Sequence, residues 1–282
     1  NETGFFMINY NGQLYSSETI LSNSNRGFLY GDAVFETVKI ANSKILFLED
    51  HYFRLMSAMR IVRMEIPMNF TMEYFEEQIL ILVNTLNYSQ SARARITVFR
   101  EDGGNYLPET NTVSYLISAS KLQSEHYSIV NNQYEVDLYK DYYVAKHLLS
   151  SIKTTNKIIN VTASIFAKEN SLDNCLLINE NKNIIEALQG NLFMLVDNKL
   201  ITPPISEGCL NGIMRKQIIS IVKKMPKMVV AEEPISPFEL QKASELFITN
   251  VIKGIQPITR YRKTEYKTDF AIKLLQELNT LI

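Results

Sequence analysis

The stretch "SSIKTTNKII" at residues 150–159 places one lysine, Lys153, between apolar Ile152 and two threonines. An amine in an apolar setting loses hydration and becomes neutral and nucleophilic more easily. Lys153 is therefore a candidate for Schiff-base chemistry. The alternative is a lysine whose stem lies along the core while its ammonium group reaches water, as is usual for lysine.

A second candidate is the helix that follows Asn211-Gly212 in "CLNGIMRKQIISIV". The first amides of a helix have no partner within the helix, and the helix dipole adds partial positive charge there. The backbone at Gly212, Ile213 and Met214 could therefore hold a phosphate. A plain turn into a helix explains the same residues.

Two charged side chains could complete such a site. Arg54, in "LEDHYFRLMSAM", lies beside the apolar stripe of a predicted helix and could bind phosphate oxygens with paired hydrogen bonds. A surface ion pair is the alternative. Glu186, in "NIIEALQGNLFML", follows two isoleucines, which indicates a buried carboxylate that needs a positive or donating partner. A protonated ring nitrogen or a nearby arginine would serve.

Six segments in order resemble the class IV aminotransferase superfamily, the fold-type-IV enzymes that use pyridoxal 5'-phosphate (PLP). These segments are "RGFLYGDAVFETVKI", "HYFRL", "IKTTN", "IIEALQGNLF", "LNGIMR" and "ELFITNVIKGIQPI". The resemblance covers nearly the whole chain. It implies two α+β domains, an N-terminal α/β sandwich and a C-terminal strand-rich pseudo-barrel, with the cofactor at the domain interface and a homodimer completing the site.

The resemblance also assigns roles to single residues. Lys153 would carry PLP as a Schiff base and then act as the proton-transfer base, and Glu186 would keep the pyridine nitrogen protonated. The phosphate or its surroundings would be bound by Arg54, Gly212, Ile213, Met214, Thr249 and Asn250. Asn156 and Asn191 would orient these groups.

The resemblance favours one reaction over its relatives. The loop "REDGGNYLPET" lacks the R-x-H of D-amino acid aminotransferases, and "FET" replaces the F-E-G of branched-chain enzymes. Thr37 matches a threonine common in lyase-like members and is expected to be catalytic. We therefore expect 4-amino-4-deoxychorismate lyase, which forms 4-aminobenzoate and pyruvate for folate synthesis. An amino-acid transaminase of the branched-chain or D-amino acid type is the alternative, and a PLP-fold protein that binds an anionic metabolite without catalysis is a third.

The elements that must position these residues follow from local patterns. Asn11-Gly12 predicts a hairpin, and further hairpins are expected at Glu180-Asn181 and Asp197-Asn198. Apolar residues at helical spacing predict helices over 52–62 and 75–86, and "ARARITVFRE" and "TVSYLISAS" predict strands. Helices are also predicted over 213–224, over 237–243 after Ser236, and over 269–281 after Thr268. A polar connector near 119–126 separates a first domain, 1–120, from a second, 121–282.

Composition excludes several classes of protein. With 282 residues, 46% hydrophobic content and a net charge of -1, the chain predicts a soluble protein with no electrostatic reason to bind nucleic acid or a membrane. Two cysteines and three scattered histidines predict neither a disulfide framework nor a metal site, and a cytoplasmic location is expected. The first residue is Asn1, so N-terminal residues are expected to be missing.

Overall fold

The computed structural model describes residues 6–16, 21–130 and 132–282. The chain divides into two compact units. The first runs to His126 and also takes Lys153–Asn156, and the second comprises Tyr127–Ile152 and Lys157–Ile282. Residue 120, the predicted end of the first domain, lies within a strand. The segment around Lys153, which is predicted to lie in the second domain, belongs to the first unit.

The first unit is built on an antiparallel six-stranded sheet of order β2-β1-β6-β5-β3-β4. Its strands are β1 (Ile8–Tyr10), β2 (Gln13–Tyr15), β3 (Ala33–Ala41), β4 (Lys44–Ile45), β5 (Ser91–Arg100) and β6 (Val113–Lys121). Its helices are α1 (Arg26–Tyr30), α2 (Leu48–Ile61) and α3 (Met72–Thr85). The predicted hairpin at Asn11-Gly12 is confirmed, and both residues have positive φ, as a tight turn requires.

Helices α2 and α3 are amphipathic, as their spacing predicted. Leu55, Met56 and Met59 of α2 are buried, and so are Phe75 and Ile79 of α3. Helix α2 contacts β3, while α3 contacts β1, β5 and β6. These contacts bury the apolar stripe of each helix against one face of the sheet.

The second unit contains two five-stranded sheets, of order β12-β11-β10-β13-β14 and β16-β15-β7-β8-β9. The strands are β7 (Glu135–Val144), β8 (Asn174–Asn179), β9 (Ile184–Ala187), β10 (Asn191–Val196), β11 (Lys199–Thr202), β12 (Val229–Glu232), β13 (Glu245–Asn250), β14 (Gly254–Ile258), β15 (Arg260–Tyr261) and β16 (Thr264–Glu265). The helices are α4 (Ile158–Glu169), α5 (Ile213–Lys223) and α6 (Asp269–Asn279), with 3-10 helices at Leu148–Ser151, Ile205–Glu207 and Pro237–Lys242. Strands of both sheets contribute to one apolar core, which agrees with the expected strand-rich pseudo-barrel.

The hairpins predicted at Glu180-Asn181 and Asp197-Asn198 join β8 to β9 and β10 to β11. Two helix predictions need correction. The segment after Ser236 forms a six-residue 3-10 helix with a capping box, and the extended backbone of Ala243 ends it. Helix α6 follows Thr268, but the Thr268 side chain accepts no hydrogen bond from the first-turn amides.

The cap of α6 comes from a distant strand instead. The buried Glu245 carboxylate on β13 accepts hydrogen bonds from Phe270 N (2.8 Å) and Ala271 N (3.1 Å). A carboxylate at a helix N-terminus satisfies first-turn amides and complements the dipole. Across the described ranges no helix has both the length and the apolar character that crossing a membrane requires.

Candidate active site

The Lys153 segment is held against the start of β3. Phe35 N donates to Lys153 O at 2.9 Å, and Thr155 N donates to Ala33 O at 3.1 Å. These two bonds make a short antiparallel bridge between residues 153–155 and the strand. The backbone of Lys153 is therefore fixed by the sheet of the first unit, and the following helix α4 begins only at Ile158.

Helix α4 is only partly buried. Ala163 is fully buried, whereas Ile158 and Val161 are 73% and 52% exposed. The predicted apolar environment of the lysine therefore does not come from the first turn of this helix.

Asn156 orients the same segment. Its Nδ2 donates to Gly31 O at 2.8 Å, and Thr155 Oγ1 also donates to that carbonyl at 3.3 Å. Gly31 has φ 63°, and a Cβ at this position would lie 2.7 Å from Asn156 Oδ1. Only glycine accommodates both conditions. Asn156 therefore holds its segment against Gly31, and its predicted role toward the cofactor stays a prediction.

The aromatic ring of Phe35 contacts two basic side chains at the site. Lys153 Nζ lies 4.6 Å and Arg95 Cζ 3.9 Å from the centroid of Phe35. Thr37 lies on the same face of β3, directly opposite Arg95 in the sheet register. Burial, with the nearby charge of Arg93, lowers the pKa of Arg95. Amine, hydroxyl and guanidinium thus share one face of the first sheet.

Sequence reasoning missed the partners of Arg54. Arg54 lies on α2, and its Nε and Nη2 donate to the two carboxylate oxygens of Glu36 at 2.6 and 2.7 Å. His51 Nδ1 lies 2.8 Å from Glu36 Oε2. A signal was available, because Glu36 falls on the face of β3 that buries Val34 and Val38, and a carboxylate there requires a cation.

In the second unit Glu186 is buried on β9, as predicted. Its Oε1 accepts a hydrogen bond from Leu210 N at 3.0 Å. Burial, together with the charge of Glu186, raises the pKa of the Cys209 thiol to about 12. Cys209 is therefore a neutral thiol at physiological pH and does not compete with the carboxylate for a positive partner.

The turn before α5 is braced by Asn191. Asn191 Nδ2 donates to Leu210 O at 2.8 Å. A Cβ added at Gly212 would lie only 2.0 Å from Asn191 Oδ1. Helix α5 starts at Ile213 with Gly212 as its N-cap, which offers no side-chain cap, and its first turn carries no acidic residue. The amides of Ile213 and Met214 therefore suit an anion.

Thr249 and Asn250 are the last two residues of β13 in the second unit. Thr249 is 2% exposed, and its Oγ1 has no hydrogen-bond partner among the described residues. Asn250 donates to Gln189 O at 3.2 Å and accepts from the amides of the turn that follows it. A Cβ at Gly190 would lie 2.5 Å from Thr249 O, so glycine permits this close strand contact.

The residues present fit the cofactor that the resemblance implies. A buried hydroxyl without a partner and uncapped helix amides suit a phosphate, and a buried carboxylate suits a protonated ring nitrogen. Four of the predicted residues lie in the first unit: Thr37, Arg54, Lys153 and Asn156. The others lie in the second: Glu186, Asn191, Gly212, Ile213, Met214, Thr249 and Asn250. Their cofactor contacts stay predictions. Within residues 6–16, 21–130 and 132–282 no cluster of three His, Cys, Asp or Glu suits a metal ion.

The family model described as amino-transferase class IV matches residues 33–261. The D-alanine aminotransferase of Bacillus licheniformis is 24% identical over 257 residues, which cover 89% of this chain and 86% of that protein. The aminodeoxychorismate lyase of Vibrio harveyi is 23% identical over 265 residues, which cover 93% and 95%.

Solved structures show the same fold. The branched-chain amino acid aminotransferase of Thermobaculum terrenum in its PLP form aligns with a TM-score of 0.84 at 22% identity, covering 98% of this chain and 93% of that one. The family match spans most of the chain, including Lys153 and Glu186. The chain therefore belongs to the class IV aminotransferase family and is a PLP-dependent enzyme.

Proposed function

We propose that the protein is a 4-amino-4-deoxychorismate lyase, which releases 4-aminobenzoate and pyruvate from its substrate. The observation that carries the proposal is the face of β3 where Thr37 and Arg95 lie opposite each other and Lys153 contacts the same Phe35 ring as Arg95. The substrate carries an amine, a departing enolpyruvyl group and carboxylates, and this face offers one group for each. The mutual coverage with the Vibrio harveyi lyase supports the same assignment.

Lys153 is the proposed base. The lysine amine and the Arg95 guanidinium contact the same Phe35 ring, so the amine lies on the face that is proposed to bind the substrate. The amine can then take the proton from the amine-bearing ring carbon. When bound, PLP withdraws electrons from that carbon. Glu186 would hold a proton at the pyridine nitrogen, while Arg54 and the amides of α5 would hold the phosphate.

Thr37 and Arg95 are proposed to handle the departing half of the substrate. The bond between the neighbouring ring carbon and the enolpyruvyl oxygen breaks as the ring becomes aromatic, and the enolpyruvate takes up a proton to give pyruvate. Thr37 can donate a hydrogen bond to the departing oxygen, and Arg95 can bind a carboxylate. Arg95 suits this role because no carboxylate pairs with it anywhere in the described part of the chain.

The alternative is an amino-acid transaminase of the D-amino acid or branched-chain type, as in the named relatives. Lys153 would remove the same proton, and the amino group would end on a keto-acid acceptor. Thr37 would have no leaving group to assist. The loop "REDGGNYLPET", which lacks the R-x-H expected for D-amino acid enzymes, favours the lyase over a D-amino acid aminotransferase.

The test separates the two reactions by their need for an acceptor. The PLP-loaded protein is incubated with aminodeoxychorismate and no keto acid, and separately with D-alanine or branched-chain amino acids plus 2-oxoglutarate. Pyruvate and 4-aminobenzoate in equal amounts without an acceptor support the lyase. Amino transfer to 2-oxoglutarate at a comparable or higher rate contradicts it. Absence of visible cofactor absorption after PLP is added would point to the non-catalytic binding protein.

A matched pair of variants tests the role of Thr37. Thr37→Val keeps the shape and removes the hydroxyl, and we expect lyase turnover to fall by about 100-fold, as for loss of a proton donor. Thr37→Ser keeps the hydroxyl and is expected to stay within about threefold of the wild type. Equal activity of both variants would exclude the hydroxyl from the reaction.

The cellular setting is part of the same proposal. A lyase of this kind supplies 4-aminobenzoate for folate synthesis in the cytoplasm, and the family resemblance implies a homodimer. Light scattering of the purified protein tests the homodimer directly, since a mass of one chain would contradict it.

A further inference from the structure

The face of β3 that meets α2 carries a buried charge cluster formed by Glu36, His51 and Arg54. Glu36 is 1% exposed and His51 is fully buried. Neither was predicted from the sequence, and neither takes part in the proposed chemistry. We propose that Glu36 and His51 are positioning residues that orient the Arg54 guanidinium toward the phosphate of PLP. The inference rests on the proposed phosphate-binding role of Arg54.

The geometry of the ion pair fixes the guanidinium in direction and in rotation. Arg54 Nε meets Glu36 Oε1 at 2.6 Å and Nη2 meets Oε2 at 2.7 Å, which is a paired fork. Two parallel bonds hold the guanidinium plane as well as its axis. Arg54 is 17% exposed and Glu36 only 1%, so the guanidinium is the more accessible member of the ion pair.

His51 locks the carboxylate in place without adding a charge. Burial alone would raise the pKa of Glu36, but the Arg54 charge and the hydrogen bonds from Arg54 and His51 lower it to about 2. Glu36 is therefore ionised at neutral pH, and His51 Nδ1 must be the donor to Oε2. Burial lowers the pKa of His51, so the imidazole is neutral. Glu36 thus accepts three hydrogen bonds, two from Arg54 and one from His51.

Orientation before binding has a measurable consequence. An arginine side chain that is free in the unliganded protein loses rotamer freedom when it binds a phosphate, which weakens binding. An arginine already held by Glu36 has lost that freedom on folding. A purely structural ion pair between α2 and β3 would stabilise the fold without any preference for the phosphorylated form of the cofactor.

The test compares affinity for PLP with affinity for pyridoxal, which lacks the phosphate. Both are titrated by absorbance into the unliganded full-length protein, so the readout does not depend on which reaction the enzyme catalyses. Glu36→Gln replaces the fork acceptor with an amide that can accept only one of the two Arg54 bonds, and Glu36→Asp keeps the charge. Arg54→Ala removes the proposed phosphate contact itself.

A matched control exists in the same unit. Asp32 also pairs with buried arginines, Arg26 at 2.9 Å and Arg100 at 2.8 Å, neither of which is assigned to the phosphate. Asp32→Asn makes the same change from carboxylate to amide in a comparable ion pair. Its effect on stability calibrates the structural part of any change seen at Glu36.

We expect Glu36→Gln to lower the PLP preference over pyridoxal by about tenfold, equivalent to roughly 1.4 kcal/mol. Glu36→Asp should lower the preference by about threefold, and His51→Leu by a similar factor because only one of the three bonds is lost. Asp32→Asn should leave the preference unchanged. If Glu36→Gln does not fold, the Glu36→Asp and His51→Leu values decide in the same way.

Two results would overturn the inference. One is an unchanged preference in the Glu36 variants while Arg54→Ala lowers it, which leaves the phosphate role of Arg54 intact. The other is an equal loss of affinity for PLP and pyridoxal, or the same loss in Asp32→Asn, which marks a structural ion pair. An unchanged preference in Arg54→Ala itself would instead refute the proposed phosphate contact on which the inference rests.

Discussion

Gly212→Ala tests whether Asn191 braces the turn before α5. A Cβ at position 212 would lie 2.0 Å from Asn191 Oδ1, so this oxygen must move by about 1 Å to reach the 3.0 Å that such contacts tolerate. The movement breaks the 2.8 Å bond from Asn191 Nδ2 to Leu210 O. Asn191 is 4% exposed, so its amide loses a partner in a place that water does not reach.

The magnitude follows from that single bond. A buried polar group left without its partner costs about 1–3 kcal/mol, so we expect Gly212→Ala to lower the free energy of unfolding by about 2 kcal/mol. The backbone at Gly212, φ -65° and ψ 137°, suits alanine, so no conformational strain adds to this value. Because Ile213 starts the helix next to this turn, affinity for PLP is expected to fall as well.

A double-mutant cycle isolates the clash. Asn191→Ala removes the oxygen that the new Cβ would meet, so the double variant should be about as stable as Asn191→Ala alone, with a coupling of about 2 kcal/mol. The chain has no tryptophan, so urea unfolding is followed by far-UV circular dichroism. Gly27→Ala is the control, since a Cβ added at Gly27 would lie 3.0 Å from its nearest neighbour, Asn25 Oδ1. Additive effects of the two single variants would refute the reasoning.

Three further predictions follow from the site. Lys153→Ala should abolish both turnover and the visible absorption of bound PLP, and a variant that keeps both would remove the basis of the proposed function. Arg95→Ala should raise the KM for aminodeoxychorismate by about 10- to 100-fold with a smaller change in kcat, since a carboxylate contact is lost; an unchanged KM in steady-state kinetics would exclude Arg95 from substrate binding. The pKa of Glu36, lowered to about 2, means that its ionised form stabilises the fold fully above about pH 4.5 and that this stabilisation is lost as the pH falls toward 2. The difference in unfolding free energy between wild type and Glu36→Gln should therefore be constant at neutral pH and shrink below pH 4.5, and a difference that grows on acidification would contradict the assignment.

Local sequence patterns determined much of the backbone. The Asn11-Gly12 turn, the apolar stripes of α2 and α3, and the start of α5 after Gly212 all lie where short-range rules place them. These features depend on backbone dihedral preference and on burial of one face, which residues a few positions apart decide. The burial of Glu186 was predictable for the same reason.

The partners of buried charges were decided by tertiary structure. Arg54 meets Glu36 across 18 positions of sequence, and Glu245 caps α6 from 25 positions away in place of the adjacent Thr268. A buried carboxylate requires a hydrogen-bond or charged partner, but which donor reaches it depends on how helices and strands pack. The sequence therefore determined which residues could do chemistry, and only the packed sheet of the first unit placed Lys153, Phe35 and Arg95 together.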